Sequence, residues 1–446
     1  MQPELALILT CLFVTIILIV EDRQNDDISK TVWILSIWLL YSVSKGLGYW
    51  FNMERTIEEG SILDRYFLLI LVIFAIAILR KRNFDWSYAL KKNYFVVLII
   101  GYMLLSITWS TFPAISFRRW GKEAITLIIA FLLITEQNPY KAFHSSFKKA
   151  IYIALPFSLV LVKYFPQYGR AYHIHTGELM WVGIASQKNG LGLICSFSAI
   201  FLIWSLWQFL PEKNISSKKL QILIDSAMLM LSIYLLLGPR RTLTYSSTSF
   251  FALLIGLVTI ILLKIGIKKG IRVENKIIII VLIIIFTGTF MPFSGKIPIK
   301  ELPKMLGRDA TLTGRTQIWN ALVPYASKKI LFGYGFGGFW TTSLREQISV
   351  SAHSGYLDTI LNVGIIGLLI FAAFLISSAK IIAKTIKDNW QEAVLLLSII
   401  FMYLVHNITE SSLGHLGSFP SSLIVLSYLL NNMENLKRGQ TTGRSL

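Results

Sequence analysis

Charge is what this sequence lacks most. Asp, Glu, Lys and Arg together make up 15% of 446 residues, against about 25% in soluble proteins. So few charges cannot cover the surface of several water-soluble domains. Acidic residues are the scarcer sign: 24 Asp and Glu stand against 43 Lys and Arg, a net charge of +19. Cysteine is almost missing. Cys11 and Cys195 lie in separate apolar runs, so neither a disulfide framework nor a thiolate metal site is indicated. The opening Met1-Gln-Pro-Glu4 has no basic segment of the kind that precedes a cleaved signal, and the first apolar run is expected to stay as a membrane helix. There is no Walker motif, no GxGxxG and no nucleophile elbow, which removes support for nucleotide-driven transport and for acyl transfer. A disordered chain is excluded by 54% hydrophobic and 13% aromatic residues. What is present is long apolar runs, and these read as a polytopic membrane protein.

A crossing helix needs about 20 mostly apolar residues, and roughly 17 suffice. Stretches near 3–20, 31–51, 62–79, 93–110, 120–135, 149–165, 190–207, 220–237, 249–267, 276–293, 355–379, 390–408 and 418–432 qualify. The predicted fold is an all-α integral membrane protein of 12–13 transmembrane helices with one long external loop. Residues 1–293 carry the first ten helices, 294–352 the loop, 353–432 the last helices and 433–446 a tail. Alternate short loops are richer in Lys and Arg, and these are expected on the cytoplasmic side together with the tail. The basic excess has this cause, and no nucleic-acid partner is expected. Thirteen spans put the N-terminus outside and twelve put it inside. The acidic 21–30 loop fits the cytoplasmic side poorly.

The polar groups with chemical potential gather at the other face. Arg240 and Arg241 end one span in Leu237-Gly-Pro-Arg-Arg-Thr242, where Pro239 stops the helix. Arg308 and Arg315 lie in the long loop. His353 opens a span in Ser351-Ala-His-Ser-Gly-Tyr-Leu-Asp358, with Tyr356 beside it. Asn407 and Glu410 close the next, and Lys188 and Asn189 open an earlier one. A guanidinium matches phosphate oxygens in shape and keeps its charge, so clustered arginines suit a lipid-linked pyrophosphate. Set against this is plain anchoring of an arginine in the headgroup region. Histidine is the residue type suited to proton transfer near neutral pH, and His353 can take a proton from a sugar hydroxyl. Asp358, five residues on, is not on the same helical face, so no His–Asp dyad is implied. His173 and His175 lack the carboxylates of a metal site, and neither a metal nor a cofactor is expected. Thr316 to Ile330 predicts an amphipathic helix with Ile318, Trp319, Leu322 and Val323 on one side. The glycines of Gly333-Tyr-Gly-Phe-Gly-Gly-Phe339 break that helix and permit a close backbone approach; the alternative is a simple flexible turn.

These segments have a familiar pattern. Leu306-Gly-Arg-Asp-Ala-Thr-Leu-Thr-Gly-Arg-Thr316, Gly333-Tyr-Gly-Phe-Gly337, His353-Ser-Gly-Tyr-Leu-Asp358 and Gly364-Ile-Ile-Gly-Leu368 together resemble the O-antigen ligase and O-antigen polymerase superfamily, and in it the exopolysaccharide polymerase branch. The resemblance covers residues 180–410 and extends to the N-terminal third by topology only. It implies a GT-C-like membrane glycosyltransferase, metal-independent and inverting. The donor would be an oligosaccharide on undecaprenyl pyrophosphate at the outer face of a bacterial inner membrane. An acceptor glycan hydroxyl would attack the anomeric carbon. A flippase and a chain-length regulator are the implied protein partners. By the same resemblance Arg241, with Arg240 as neighbour, would hold pyrophosphate. Arg315, the arginine of the Gly-Arg-Thr motif, would join Arg241 in catalysis by stabilising the charge that grows on the pyrophosphate, and His353 would be the base or acceptor-orienting group. Asn407 and Glu410 resemble an Asn…Glu-Ser pair, and Lys188-Asn189 a Lys-Asn-x-x-Gly segment. Two departures stand out. Gln187 replaces a frequent histidine, and Gly238-Pro-Arg-Arg replaces Ser-x-Ser-Arg, which leaves open which of Arg240 and Arg241 meets phosphate.

Three other readings compete with a polymerase. A ligase would move a finished glycan onto a lipid A core or a protein. A transporter would show paired repeats, broken helices at matching positions and mid-membrane charges; Lys45 and Lys163 are the main buried candidates for such charges, and most polar groups sit at one face. A scaffold partner in a secretion complex would need none of this chemistry.

Overall fold

The computed structural model describes residues 2–53, 60–172, 177–209, 218–238, 246–270, 274–294 and 314–442. Their helices in chain order are α1 (Pro3–Gln24), α2 (Val32–Val43), α3 (Leu47–Trp50), α4 (Ile62–Lys81), α5 (Trp86–Lys92), α6 (Tyr94–Ser106), α7 (Pro113–Ile134), α8 (Pro139–Tyr164) and α9 (Pro166–Gly169). After a hairpin of β1 (Arg170–Tyr172) and β2 (Leu179–Trp181) come α10 (Lys188–Phe209), α11 (Lys219–Leu237), α12 (Ser247–Lys268) and α13 (Glu274–Ser294). Then follow α14 (Arg315–Lys328), α15 (Thr342–Gln347), α16 (Gly355–Thr385), α17 (Trp390–Thr409) and α18 (Phe419–Thr442).

Among the described residues nine helices are long and apolar enough to cross a membrane: α1, α4, α8, α10, α11, α12, α13, α16 and α17. A tenth is reached if α5 and α6, bent by 91°, count as one span. All thirteen predicted stretches are helical, yet three fall short of that standard for physical reasons. The 31–51 run is interrupted after twelve residues, where the backbone at Ser44 turns extended. In α7 the first half carries Arg118, Arg119, Lys122 and Glu123, which leaves a short apolar remainder. α18 turns polar at Asn431 and Asn432. The outer surfaces of α1 and α4 expose Ile8, Leu12, Ile16, Ile70 and Phe74, a burden that a lipid environment removes and water would not.

The chain forms two compact units. The first joins residues 1–50 to 135–258. Here α8 packs against α1 and α2, and α10 against α11. Asn138 starts α8 by accepting from the Lys141 N–H, with Pro139 in the first turn. Its interior holds a charge network. Asp225 of α11 accepts from Lys148 Nζ at 2.9 Å, from Ser205 Oγ at 2.8 Å, from Gln221 Nε2 at 2.9 Å and from the Tyr152 hydroxyl. A carboxylate with no exposure survives there because every approach is answered by a donor. Lys45 is likewise satisfied within this unit, by the Tyr168 carbonyl and the Tyr49 ring.

The second unit joins residues 51–134 to 259–446. Its frame is α16, α17 and α18 with α6, α7 and α13. α16 is broken at Gly364, whose φ of 70° is left-handed. The glycine run from Gly333 fills that break. Tyr334 N–H donates to the Leu361 carbonyl at 2.9 Å, Ile365 N–H to Ile330 at 2.8 Å, and Gly337 N–H to Asn362 Oδ1 at 3.0 Å. A side chain at Gly333 or Gly364 would collide with the opposing backbone. The close approach expected of these glycines is therefore made onto the kinked helix. The amphipathic helix appears as α14, which buries Arg315, Trp319, Leu322 and Ala326 on one stripe.

Candidate functional site

In the second unit, three helix ends and their connections converge on one polar cluster. Gly314, at φ 84°, turns the chain into α14 and places Arg315 as its first residue. One turn later Trp319 Nε1 donates to the Ala352 carbonyl at 2.9 Å, which ties α14 to the segment that opens α16. Arg315 is 5% exposed. Its Nε donates to the Thr409 carbonyl at 2.8 Å, and its Nη2 donates to Glu410 Oε1. Glu410 in turn faces His353, with Oε2 3.6 Å from Nδ1. A carboxylate facing Nδ1 favours the proton there and leaves Nε2 as the basic nitrogen. Glu410 lies one residue beyond α17. Burial, the largest influence, favours its neutral form, but His353 and the Arg315 charge outweigh that and bring the carboxyl down to about 2.

His353 has a left-handed φ of 46°, strained for a residue with a Cβ. Its neighbours hold it there. Asp358 accepts from Ala352 N–H with both oxygens, at 3.3 and 3.2 Å, and from Trp340 Nε1 at 2.8 Å. Ser354 caps α16 by accepting from Leu357 N–H. Asp358 thus acts on the backbone beside the histidine, in keeping with the sequence spacing.

Asn407 is fully buried. Its Oδ1 accepts from Ser412 N–H at 2.9 Å and Leu413 N–H at 2.6 Å, and Nδ2 donates to Tyr403 O. It fixes the turn after α17 rather than facing the cluster. Tyr356, also fully buried, donates its hydroxyl to Leu404 O at 3.0 Å and packs on Gly288. These two residues brace the site. Lys188 and Asn189 start α10 in the first unit, where Lys188 borders a small cleft with Trp181, Gly192, Gly238 and Ser246. Arg240, Arg241, Arg308, His173 and His175 lie outside the described residues. Among the described residues, no group of three His, Cys, Asp or Glu is spaced to hold a metal ion.

Two features were not foreseen. His406, 4% exposed, sits one turn before Glu410, and neither ring nitrogen has a hydrogen-bond partner among the described residues. Its i, i+4 spacing to Glu410 was the available signal. The other is Glu123 of α7, whose Oε2 accepts from Gly417 N–H at 2.6 Å while Oε1 stands 3.5 Å from His415 Nδ1. Almost 300 residues separate these partners along the chain, so no local pattern could reveal them.

Helices of this length and apolarity, carrying a buried arginine–carboxylate–histidine cluster at a span end, define a multi-pass membrane protein with a polar site at one face. Comparison with known proteins gives this class a family. The profile described as O-antigen ligase matches residues 227–372, a stretch that contains Arg315, His353 and Tyr356. The chain is also 21% identical over 335 residues to the exopolysaccharide production protein ExoQ of Rhizobium meliloti (strain 1021), covering 71% of this chain and 72% of that protein. The chain carries an O-antigen ligase family domain and is a distant homologue of that protein.

Proposed function

We propose that this protein is a polymerase of undecaprenyl-pyrophosphate-linked oligosaccharide repeat units, acting by inverting glycosyl transfer at the outer face of the membrane. The observation that carries the reading is the Arg315–Glu410–His353 cluster, set where α14, α16 and α17 meet. In the proposed step an acceptor hydroxyl oxygen attacks the anomeric carbon. His353 Nε2 takes the hydroxyl proton. The bond from the anomeric carbon to the pyrophosphate oxygen breaks, and the electron pair leaves with the lipid pyrophosphate. Glu410 keeps the imidazole oriented and offsets the positive charge that it gains. Such a base contributes roughly 10²–10⁴-fold. Arg241, Arg240 and Arg308 are assigned the growing charge on the pyrophosphate, which is electrostatic stabilisation of the leaving group. Lys188 and Asn189 are assigned to the substrate as well. Arg315 is assigned to positioning, because two of its donors are already committed to Thr409 and Glu410.

A ligase is the second reading, supported by the description of the matched profile. Cells lacking the protein separate the two. Their lipid-linked glycans, sized by mass spectrometry, should show a single repeat unit and no long polymer. Long lipid-linked polymer beside an unmodified acceptor would mean a ligase instead. Unchanged glycans of both kinds would end both readings and bring forward a transporter.

A further inference from the structure

The connection from α14 to the glycine run has a composition that the proposed chemistry does not use. It reads Lys328-Lys-Ile-Leu-Phe-Gly333, and its apolar residues stay outward: Leu331 is 55% exposed and Phe332 52%. With Trp109 these residues line a groove of about 580 Å³ in the second unit. The Ile330 and Leu331 carbonyls accept from Ile365 and Ile366 N–H at 2.8 and 3.3 Å. The Phe332 carbonyl accepts from Trp109 Nε1 at 3.2 Å, and the two rings meet edge to face with centroids 5.8 Å apart. The apolar tip is therefore pinned in its outward position.

Two span ends locate it. Trp109 closes the turn Ile107–Trp109 after α6. The break at Gly364 leaves residues 365–385 as the arm of α16 long enough to cross a membrane. The loop is bonded to the start of that arm, which puts it at the boundary of the apolar layer, where tryptophan is favoured. Charge completes the surface. Lys328 and Lys329 are exposed. Among the described residues neither has a carboxylate partner, and Lys329 Nζ stands 4.6 Å over the Tyr334 ring. Two cations beside outward apolar side chains match a lipid with an anionic head; a zwitterionic head would bring its own cation against the lysines.

We propose that the loop 328–332 and Trp109 bind one anionic phospholipid of the surrounding bilayer, its phosphate against Lys328 and Lys329 and an acyl chain along Leu331, Phe332 and Trp109. The inference goes beyond the polymerase reading and does not rest on it. α14 runs from Arg315 to Lys328, roughly 20 Å at 1.5 Å per residue, so the lipid sits at the end of that helix remote from the polar cluster. It also shields from water the bonds that join the loop to the break in α16. A ligand of the folded state alone stabilises that state by mass action, so the lipid braces α14 and the broken helix together.

The test uses the full-length protein, delipidated in a neutral detergent and titrated with phosphatidylglycerol or phosphatidylcholine. Native mass spectrometry reads the bound lipid, and thermal melting reads the stability. Wild type is expected to bind one phosphatidylglycerol roughly tenfold more tightly than phosphatidylcholine, with a raised melting temperature. The double variant Lys328→Gln with Lys329→Gln should lose both the preference and the added stability. Without lipid it should melt as wild type does, because both side chains are exposed. Lys380→Gln with Lys384→Gln, an exposed basic pair toward the other end of α16, should bind as wild type does. Phe332→Ser should weaken both lipids about tenfold, through lost apolar contact. An unchanged phosphatidylglycerol preference in the Lys328/Lys329 variant would overturn the site, and so would equal binding of the two lipids by wild type. Tighter binding of a sugar-free polyprenyl phosphate, lost in the same variant, would give the groove to a lipid carrier and overturn the phospholipid assignment. A dimer that dissociates on the same substitutions would overturn it in favour of a second copy of the chain.

Discussion

Glu410 answers to two partners at once, and the behaviour of single residues at this site follows from that. With its carboxyl held near 2 rather than at the ordinary 4.5, it is charged in the folded protein throughout the physiological range. A depressed carboxylate contributes stability that is present above about pH 4.5 and is lost as the pH falls through about 2. Thermal melting of the detergent-solubilised protein should therefore drop between pH 4.5 and 2, and Glu410→Gln should flatten that dependence. The same variant should lower polymer synthesis by about 10²-fold, through loss of the oriented base. Arg315→Ala takes the permanent cation from the buried Glu410 carboxylate and should cost on the order of 3–5 kcal/mol. The double change Arg315→Met with Glu410→Leu should fold better than Arg315→Ala alone, although without activity. His353→Ala removes a partly exposed imidazole and leaves the left-handed φ with one Cβ as before, so a folded, inactive protein is the expected outcome. Polymer at wild-type levels from that variant would take His353 out of the chemistry.

At the scale of elements, the break in α16 and the charge network of α11 decide stability. Gly364 is left-handed and meets the Leu331 backbone. Gly364→Ala should cost about 1–3 kcal/mol from conformation alone, with a larger loss from the collision, read as a lowered melting temperature. Gly101→Ala, with open space around its Cβ position, is the matched control and should change little. In the first unit, Asp225→Ala strands Lys148 and should be as damaging as Arg315→Ala, whereas Asp225→Leu with Lys148→Met should recover much of the loss. How much of these elements could be read beforehand differs by case. The amphipathic face of α14 was legible, since Trp319 and Leu322 repeat at helical spacing and both are buried. That its first-turn arginine would join that buried stripe was not, because a guanidinium at a helix start is ordinarily read as exposed. The glycines between α14 and α15 announced a close approach, but its target, Gly364, became visible only when α16 was seen to bend.

For the molecule as a whole, orientation is the largest inference still open to experiment. The basic short loops predict a cytoplasmic tail. A reporter enzyme fused after residue 446 should be active inside the cell, and a cysteine placed at Ser351 should react with an impermeant reagent from outside. The opposite pair of results would invert the proposed face of the site. Composition and hydropathy by themselves determined that this is a helical membrane protein. Burying apolar side chains in lipid requires only their order along the chain, which the sequence states directly. Local motifs likewise marked Arg315, His353 and Glu410 as chemically useful. The tertiary structure decided their relations: that Glu410 stands between the other two, that Asn407 and Tyr356 brace the site from within the protein, and that His415 answers to a carboxylate from a helix far back in the chain. Hydrogen bonds and ion pairs depend on distances of a few ångströms between segments hundreds of residues apart. No periodicity along a chain encodes those distances, and only packing sets them.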